Sequence, residues 1–332
     1  MSEPQQTGES TRGPSGPGAL LEALRPAHWI KNAFVVAPLL FSRRFTDAAS
    51  WALCAAAVGA FCLASSAVYL INDLRDRPRD RLHPVKCLRP LASGRLSPLA
   101  ACIAAAGLLV AAFAGVIVTE TLTAQRRNLL GGHALLVWTA VYVLLNVLYT
   151  LRLKDLFVVD MLVVAFGFVL RAMAGAAAIA VPVSPWLVVC TLSLCLFIAA
   201  TKRRSELGEL SAEHAATVRR ANRAYDARQL DYILIVSTAM ALLTYTIYCL
   251  APHTVRRVGS PHMVWTVPLV VYGMFRYERI TRRAGSSDPV RILLRDRVMW
   301  LVIVVYVALS AAVLTFGAHE SVRDILRFSQ GK

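Results

Sequence analysis

Charge is scarce in this chain of 332 residues: Asp, Glu, Lys and Arg make up 17% of it, against 57% hydrophobic residues. Length alone would allow two soluble domains. So little charge, with a mean hydropathy of +0.54, points instead to a polytopic membrane protein. Cysteine is also sparse. Six of the seven (Cys54, Cys62, Cys102, Cys190, Cys195 and Cys249) fall inside apolar runs and only Cys87 lies in a charged loop. None has metal-ligand spacing, so they read as small buried residues rather than disulfides or a zinc site. Met1–Gly18 lacks a basic stretch followed by an apolar one, which argues against a cleaved signal peptide. It is rich in Ser, Gly, Pro and Gln and has too little apolar surface to order itself. We therefore expect a disordered tail over 1–20, a membrane domain over 21–318 and a short tail over 319–332. Paired inverted repeats with broken helices, the mark of many transporters, are missing as well.

Long apolar runs are what the chain has. A span needs roughly 20 apolar residues to cross a hydrocarbon core of about 30 Å. Nine stretches qualify: 29–42, 51–71, 96–119, 131–151, 156–180, 183–201, 232–251, 261–277 and 298–317. The first is short and contains Lys31. The expected fold is an all-α bundle of nine transmembrane helices.

The net charge of +16 would suit nucleic acid, but its distribution argues otherwise. Seven Lys or Arg residues fall in each of 72–95, 202–228 and 276–297, and Arg152 and Lys154 share their side. The opposite loops hold only Arg43, Arg44, Arg126, Arg127, Arg256 and Arg257. Basic loops stay in the cytoplasm, so nine spans put the N-terminus inside and the C-terminus outside the cell membrane.

Orientation does not account for the acids in Ile71–Pro90, INDLRDRPRDRLHPVKCLRP. Carboxylates are costly at a membrane edge and contribute little to topology. Asp73, Asp76 and Asp80 stand at offsets of 0, 3 and 7, which places all three on one helical face. There they repel one another unless a cation lies between them. Oxygen ligands beside basic residues suit Mg²⁺ shared with a diphosphate, since magnesium takes one or two carboxylates plus substrate phosphates. The alternative is a helix end whose Asp and Arg residues merely pair. Pro78 should kink or end the helix between Asp76 and Asp80, so that Asp80 reaches the metal from a bend.

Further polar groups follow. Tyr149, Arg152, Lys154 and Asp155 close the fourth run, and Asp160 and Arg171 sit inside the fifth. Eleven residues is about three helical turns, so Asp160 and Arg171 share nearly one face. Charges at that depth normally face a polar cavity, or else make an interhelical pair that fixes packing. Lys202-Arg-Arg-Ser-Glu206 opens the next basic loop and Leu293-Leu-Arg-Asp296-Arg297 precedes the last run.

Together these residues resemble the UbiA superfamily of intramembrane prenyltransferases. The motifs are NDxxDxxxD at Asn72–Asp80 and a second Tyr/Lys/Asp motif, YTLRLKDLFVVD, at Tyr149–Asp160. In detail the chain is similar to one branch, the decaprenyl-phosphate 5-phosphoribosyltransferases. The elements are RPAHWIKN (Arg25–Asn32), HPVKCLRPLASG (His83–Gly94), GFVLRAMAG (Gly167–Gly175), KRRSEL (Lys202–Leu207), FRYERI (Phe275–Ile280) and LLRDR (Leu293–Arg297). They run in order from about Leu24 to Phe316. Departures from the branch pattern are Cys87, Asp155 and Pro78.

The resemblance implies a nine-helix bundle around a central cavity, capped on the cytoplasmic side by the loops after the second and sixth spans. It implies a transferase in which 5-phosphoribosyl 1-diphosphate donates and a polyprenyl phosphate accepts, with Mg²⁺ on the leaving diphosphate. The acceptor is already anionic, so no general base is required, and His83 is as well explained by ordering the loop before Pro84. Asp73, Asp76 and Asp80 are then the metal ligands, with Asn72 orienting them. Lys86 and Arg89 hold the donor phosphates, and Lys31, Arg152 and Lys154 the 5-phosphate or the acceptor phosphate. Tyr149 and Asp160 face the ribose, and Lys202 and Arg276 complete the substrate-binding set. A prenyltransferase with a lipid donor and aromatic acceptor, and a membrane terpene cyclase, share the first motif and remain as alternatives. Homo-oligomerisation is left open.

Overall fold

The computed structural model describes residues 16–42, 44, 46–127, 133–208, 226–284 and 296–316. Within them all regular structure is helical: α1 Pro17–Leu24, α2 Ala37–Leu40, α3 Ala48–Asp80, α4 Pro98–Arg127, α5 Ala134–Leu151, α6 Val159–Ala178, α7 Pro185–Gly208, α8 Ala227–Leu250, α9 Pro252–Val258, α10 Val267–Ala284 and α11 Arg297–Phe316. Seven of these, α3 to α8 and α11, are long and apolar enough to cross a membrane. They coincide with seven of the nine expected runs. The tail over 319–332, the loop 209–225 and the segment 285–295 lie outside the described residues, as does the part of the 1–20 tail before Gly16. Pro17 to Leu20 are already helical, and Ala19 and Ala23 are buried against Ala67 and Leu70 of α3.

The run 29–42 is not a continuous α-helix. It forms a 3₁₀ helix over Pro26–Val35 and then the single turn α2. Pro26 and Pro38 interrupt the α pattern, and polar Asn32 is fully buried rather than lipid-facing. The segment nonetheless runs antiparallel to α3 along its length. Arg25 reaches Asp73, the Trp29 indole donates to Ser66 Oγ (3.0 Å), Asn32 donates to Ser65 and Cys62, and Cys54 Sγ donates to the Val35 carbonyl (3.6 Å). The run 261–277 is likewise divided, between a 3₁₀ turn His262–Thr266 and α10. It returns alongside α8: Thr266 bonds Tyr245 near the end of α8, and Arg282 pairs with Asp231 near its start.

Asp47 caps α3, accepting from Ala49 N (3.2 Å) and Ser50 Oγ (2.6 Å). The Ala-rich stretch that follows lets neighbouring helices approach closely. At 1.5 Å per residue the 33 residues of α3 extend about 50 Å, well beyond the hydrocarbon thickness of about 30 Å. The charged end therefore projects past the apolar layer. Contrary to expectation, Pro78 does not end the helix, and Asp80 belongs to it. Pro78 lies in the last turn, where a single lost backbone bond is cheap, and Arg81 N closes the end on Arg77 O (3.2 Å).

Two of the four apolar clusters among the described residues tie most of the bundle together. One joins the 3₁₀ segment, α2, α3, α4, α5 and α6; the other joins α6, α7, α8, α10 and α11. Helix α6 serves both, through Leu170 and Ala174 on one side and Met161 on the other. Gly175 of α6 meets the Val35 backbone so closely that any Cβ there would collide with the Val35 carbonyl. Only glycine admits that crossing.

Candidate active site

The charged end of α3 is closed by a loop that folds back on it. Arg77 Nε donates to Leu91 O (3.1 Å) and Arg81 Nε to Ala92 O (3.3 Å), while Leu91 is buried. Arg95 fastens the loop to α1 through both oxygens of Glu22 (2.7 and 3.0 Å). His83 Nδ1 accepts from the amides of Val85 and Lys86 (3.2 and 3.3 Å), so this histidine orders the turn that carries Lys86. Lys86 itself is half-buried.

The loop delivers Arg89 between two aspartates. Its Nη1 donates to Asp80 Oδ2 at 2.7 Å and to Asp73 Oδ1 at 3.3 Å. Asp73 and Asp80 are seven residues apart, and one guanidinium nitrogen bridges them, as the shared helical face requires. Both are buried. Asp73 has a second partner, Arg25 Nη2, at 2.5 Å. Arg25 is held in the left-handed region (φ 55°) between α1 and the 3₁₀ segment, and its guanidinium packs over the Tyr69 ring at 5.2 Å. Asp76, the middle carboxylate, pairs with the buried Lys154 Nζ at 2.5 Å. Asn72 accepts from Thr150 Oγ1 at 3.5 Å, a contact to α5 rather than to an aspartate.

A second buried cluster lies where α6 begins and α7 ends. Asp160 Oδ2 accepts from Arg203 Nε and Nη2 (3.0 and 2.8 Å), and Arg203 Nη1 donates to Glu206 (2.7 Å). Tyr149 lies within electrostatic reach of Arg203. The inward-facing cation of KRRSEL is thus Arg203. Lys202 is more exposed and stands 3.8 Å from Glu206.

Arg171 does not join Asp160. It donates to Asn32 Oδ1 (2.9 Å), Gly167 O (3.0 Å) and Tyr142 OH (2.7 Å), with its guanidinium over the Tyr142 and Phe168 rings. This ties α6 to α5 and to the 3₁₀ segment, which is the packing role. Arg276 makes a two-point contact with Asp296 (both 2.9 Å), and Asp296 also caps α11 through Met299 N (2.6 Å). These contacts join α10 to α11 rather than to the α3 aspartates. The Arg276 hydrogen bond holds the Asp296 carboxyl below the usual carboxylate range. Arg152 is exposed and Lys31 half-buried.

Deeper in the bundle lies an apolar cavity of about 370 Å³. Phe34, Pro38, Met173, Phe197, Tyr245, Met274 and Tyr306 are among its walls, so seven helical segments contribute to it.

The donor chemistry at α3 fits a hard divalent cation. The ligands are carboxylate oxygens, and a cation, the Arg89 guanidinium, already stands between two of them. Among the described residues no three His, Cys, Asp or Glu side chains converge as a ready-made cage. Magnesium needs only one or two carboxylates when a diphosphate and water supply the rest.

Arg25 and Arg203 are the site residues that sequence reasoning did not single out. Arg25 carries no local signal, because its partner is 48 residues away. Arg203 follows buried Phe197 and Ala200 at steps of three, a helical phase that distinguishes it from Lys202.

Comparison with known proteins bears on these features. The profile of the UbiA prenyltransferase family matches residues 33–303. The chain is 31% identical over 310 residues to the decaprenyl-phosphate phosphoribosyltransferase of Mycolicibacterium smegmatis, covering 90% of this chain and 92% of that one. The protein of the same name from Corynebacterium glutamicum is 30% identical over 298 residues, covering 87% and 84%. Among solved structures, a UbiA homologue from Archaeoglobus fulgidus bound to GPP and Mg²⁺ superposes with a TM-score of 0.65 at 16% identity, over 89% of this chain and 99% of that one. The chain belongs to the UbiA prenyltransferase family.

Proposed function

We propose that this protein transfers the 5-phosphoribosyl group of 5-phosphoribosyl 1-diphosphate to a polyprenyl phosphate of the decaprenyl type and releases diphosphate, with Mg²⁺ bound at Asp73, Asp76 and Asp80. The observation that carries this reading is the number of cations gathered at one end of the bundle. Arg25, Arg89 and Lys154 touch the aspartates, and Arg203 lies buried on Asp160. A lipid diphosphate donor presents one charged group. A donor phosphorylated at both ends of a ribose, with an acceptor that is itself a phosphate, presents three. The names of the relatives agree with this.

When bound, the metal supplies charge neutralisation on the leaving diphosphate. The protein contributes positioning and electrostatics. Lys86 and Arg89 hold the donor phosphates, Arg89 turning from carboxylate to phosphate oxygen. Lys31, Arg152 and Lys154 hold the 5-phosphate or the acceptor phosphate, and Asn72 steadies the α3 end through Thr150. Tyr149 and Asp160, with Arg203, border the ribose, and Lys202 and Arg276 stand at the mouth. The bond from ribose C1 to the diphosphate oxygen breaks, and an acceptor phosphate oxygen bonds to C1. That oxygen is already anionic, so no base is needed. The apolar cavity receives the near end of the polyprenyl chain, and the remainder lies in lipid.

In this reading the chain crosses the cell membrane nine times, with 29–42 crossing as the 3₁₀ segment beside α3 and 261–277 crossing beside α8. The aspartates face the cytoplasm, the N-terminus lies inside and the C-terminus outside. The test is turnover by purified protein. Asp76→Asn keeps size and removes charge, and turnover should fall by orders of magnitude while thermal unfolding stays cooperative. EDTA should abolish wild-type turnover. Near-normal turnover in Asp73→Asn, Asp76→Asn and Asp80→Asn alike would reduce the cluster to a structural helix end.

A further inference from the structure

Each carboxylate at the end of α3 already has a cation, and the three cations come from three different segments. Arg25 stands in the turn after α1, Arg89 in the loop after α3, and Lys154 in the 3₁₀ turn Leu153–Asp155 between α5 and α6. Three aspartates face three basic side chains, so the cluster's net formal charge is zero. Asp73, Asp80 and Lys154 are all buried, where an ion pair cannot be opened without a replacement partner for both of its halves.

A divalent cation arriving alone meets a neutral cluster. It gains no net long-range attraction, and any oxygen it reaches belongs to a carboxylate whose charge Arg25, Arg89 or Lys154 already balances. A diphosphate arriving with it changes both terms, because its oxygens take the displaced guanidinium and ammonium as charge-assisted partners and the freed carboxylates take the cation. Resting on the metal-assisted reading above, we infer that Arg89 and Lys154 act as a counter-ion lock on the α3 aspartates, so that the site admits a divalent cation only together with a diphosphate. Metal and diphosphate then bind with positive coupling, and each tightens the other by the same factor. The lock also keeps the carboxylates paired between turnovers, when a bare acidic cluster near lipid would be costly.

The lock resides in two side chains, and removing either should open it to metal alone. The test titrates full-length protein in detergent with Mn²⁺ as the probe. Free Mn²⁺ is followed by its EPR signal, with and without inorganic diphosphate, against protein-free controls for the Mn²⁺–diphosphate complex. Wild-type protein should bind Mn²⁺ weakly, and diphosphate should tighten that binding by a factor within the range of about 5 to 150 usual for coupled sites. Arg89→Gln should bind Mn²⁺ alone at least about tenfold more tightly than wild type, and its response to diphosphate should shrink. Lys154→Met should behave in the same direction, and a cooperative unfolding transition recorded for each variant separates an opened lock from a lost fold. Wild-type protein that binds Mn²⁺ equally well with and without diphosphate, with both variants unchanged, would overturn the lock and leave the metal site standing. No bound Mn²⁺ under either condition would overturn the metal site itself.

Discussion

Lys154 Nζ lies 2.5 Å from Asp76 Oδ1, joining residues 78 positions apart and fastening the α5–α6 turn to the charged end of α3. Both side chains are nearly enclosed, at 6% and 13% exposure. Removing one partner of such a pair leaves an uncompensated charge and costs about 3–5 kcal/mol, whereas replacing both is often close to neutral. Lys154→Met should therefore lower unfolding stability in detergent markedly, and Asp76→Asn/Lys154→Met should recover much of the loss without recovering turnover. A double variant no more stable than the sum of the single effects would show that the two groups are not coupled.

Arg203 is expected to matter more than Lys202. Asp160 is fully buried and takes two bonds from Arg203. Arg203→Leu should cost about 3–5 kcal/mol of stability, since it strands that carboxylate, while Lys202→Leu should fall within about 0.5 kcal/mol as a surface change. Arg203→Lys keeps the charge but loses the two-point geometry, so its unfolding midpoint should fall between those of wild type and Arg203→Leu. Equal effects of the Lys202 and Arg203 substitutions would contradict the assigned helical phase.

Arg171 holds the 3₁₀ segment through Asn32 and so sets where Lys31 stands. As a positioning residue it should affect binding of the phosphorylated substrate more than the chemical step. Arg171→Leu should raise KM with a smaller change in kcat, and Asn32→Asp, which restores a strong acceptor for Arg171, should be milder than Asn32→Leu. A loss confined to kcat would be inconsistent with this role.

How much of this was legible in the sequence differs from element to element. Hydropathy located α3 to α8 and α11, because an uninterrupted apolar run has few other folds in lipid. It misread 29–42 as an α-helix, because Asn32 and the flanking prolines commit that segment to hydrogen bonds with α3 and α6 that composition does not display. Spacing placed Asp73 and Asp80 on one face. It did not show that Arg89 would bridge the two or that Arg25 would close on Asp73, since such contacts arise only when distant segments pack. Pro78 was read as a break by its general habit, yet in the last turn of a helix that habit has little to disrupt.

Asp296 provides a pH test. Its carboxyl is held low by Arg276, so the pair contributes stability that is complete above the ordinary Asp pKa of about 3.9 and is lost as pH falls through the lowered value. The stability difference between wild type and Asp296→Asn should be constant near neutrality and shrink below about pH 4. A difference that grows on acidification would reverse the assigned shift.

The proposed topology rests on the basic loops. Ser93 is exposed in the loop after α3. In a cysteine-free background, Ser93→Cys should resist an impermeant thiol reagent in intact cells and react after permeabilisation. Labelling in intact cells would place the aspartates on the opposite side.

The most direct test of the central claim is donor identity. Membranes containing this protein are given Mg²⁺, a polyprenyl phosphate and either ribose-labelled 5-phosphoribosyl 1-diphosphate or a labelled prenyl diphosphate, with Lys86→Ala run in parallel. The account predicts labelled lipid only from the phosphoribosyl donor, one diphosphate released per lipid formed, and loss of both in Lys86→Ala. Consumption of the prenyl diphosphate with no labelled phosphoribosyl lipid would contradict it and assign the site to prenyl transfer or cyclisation.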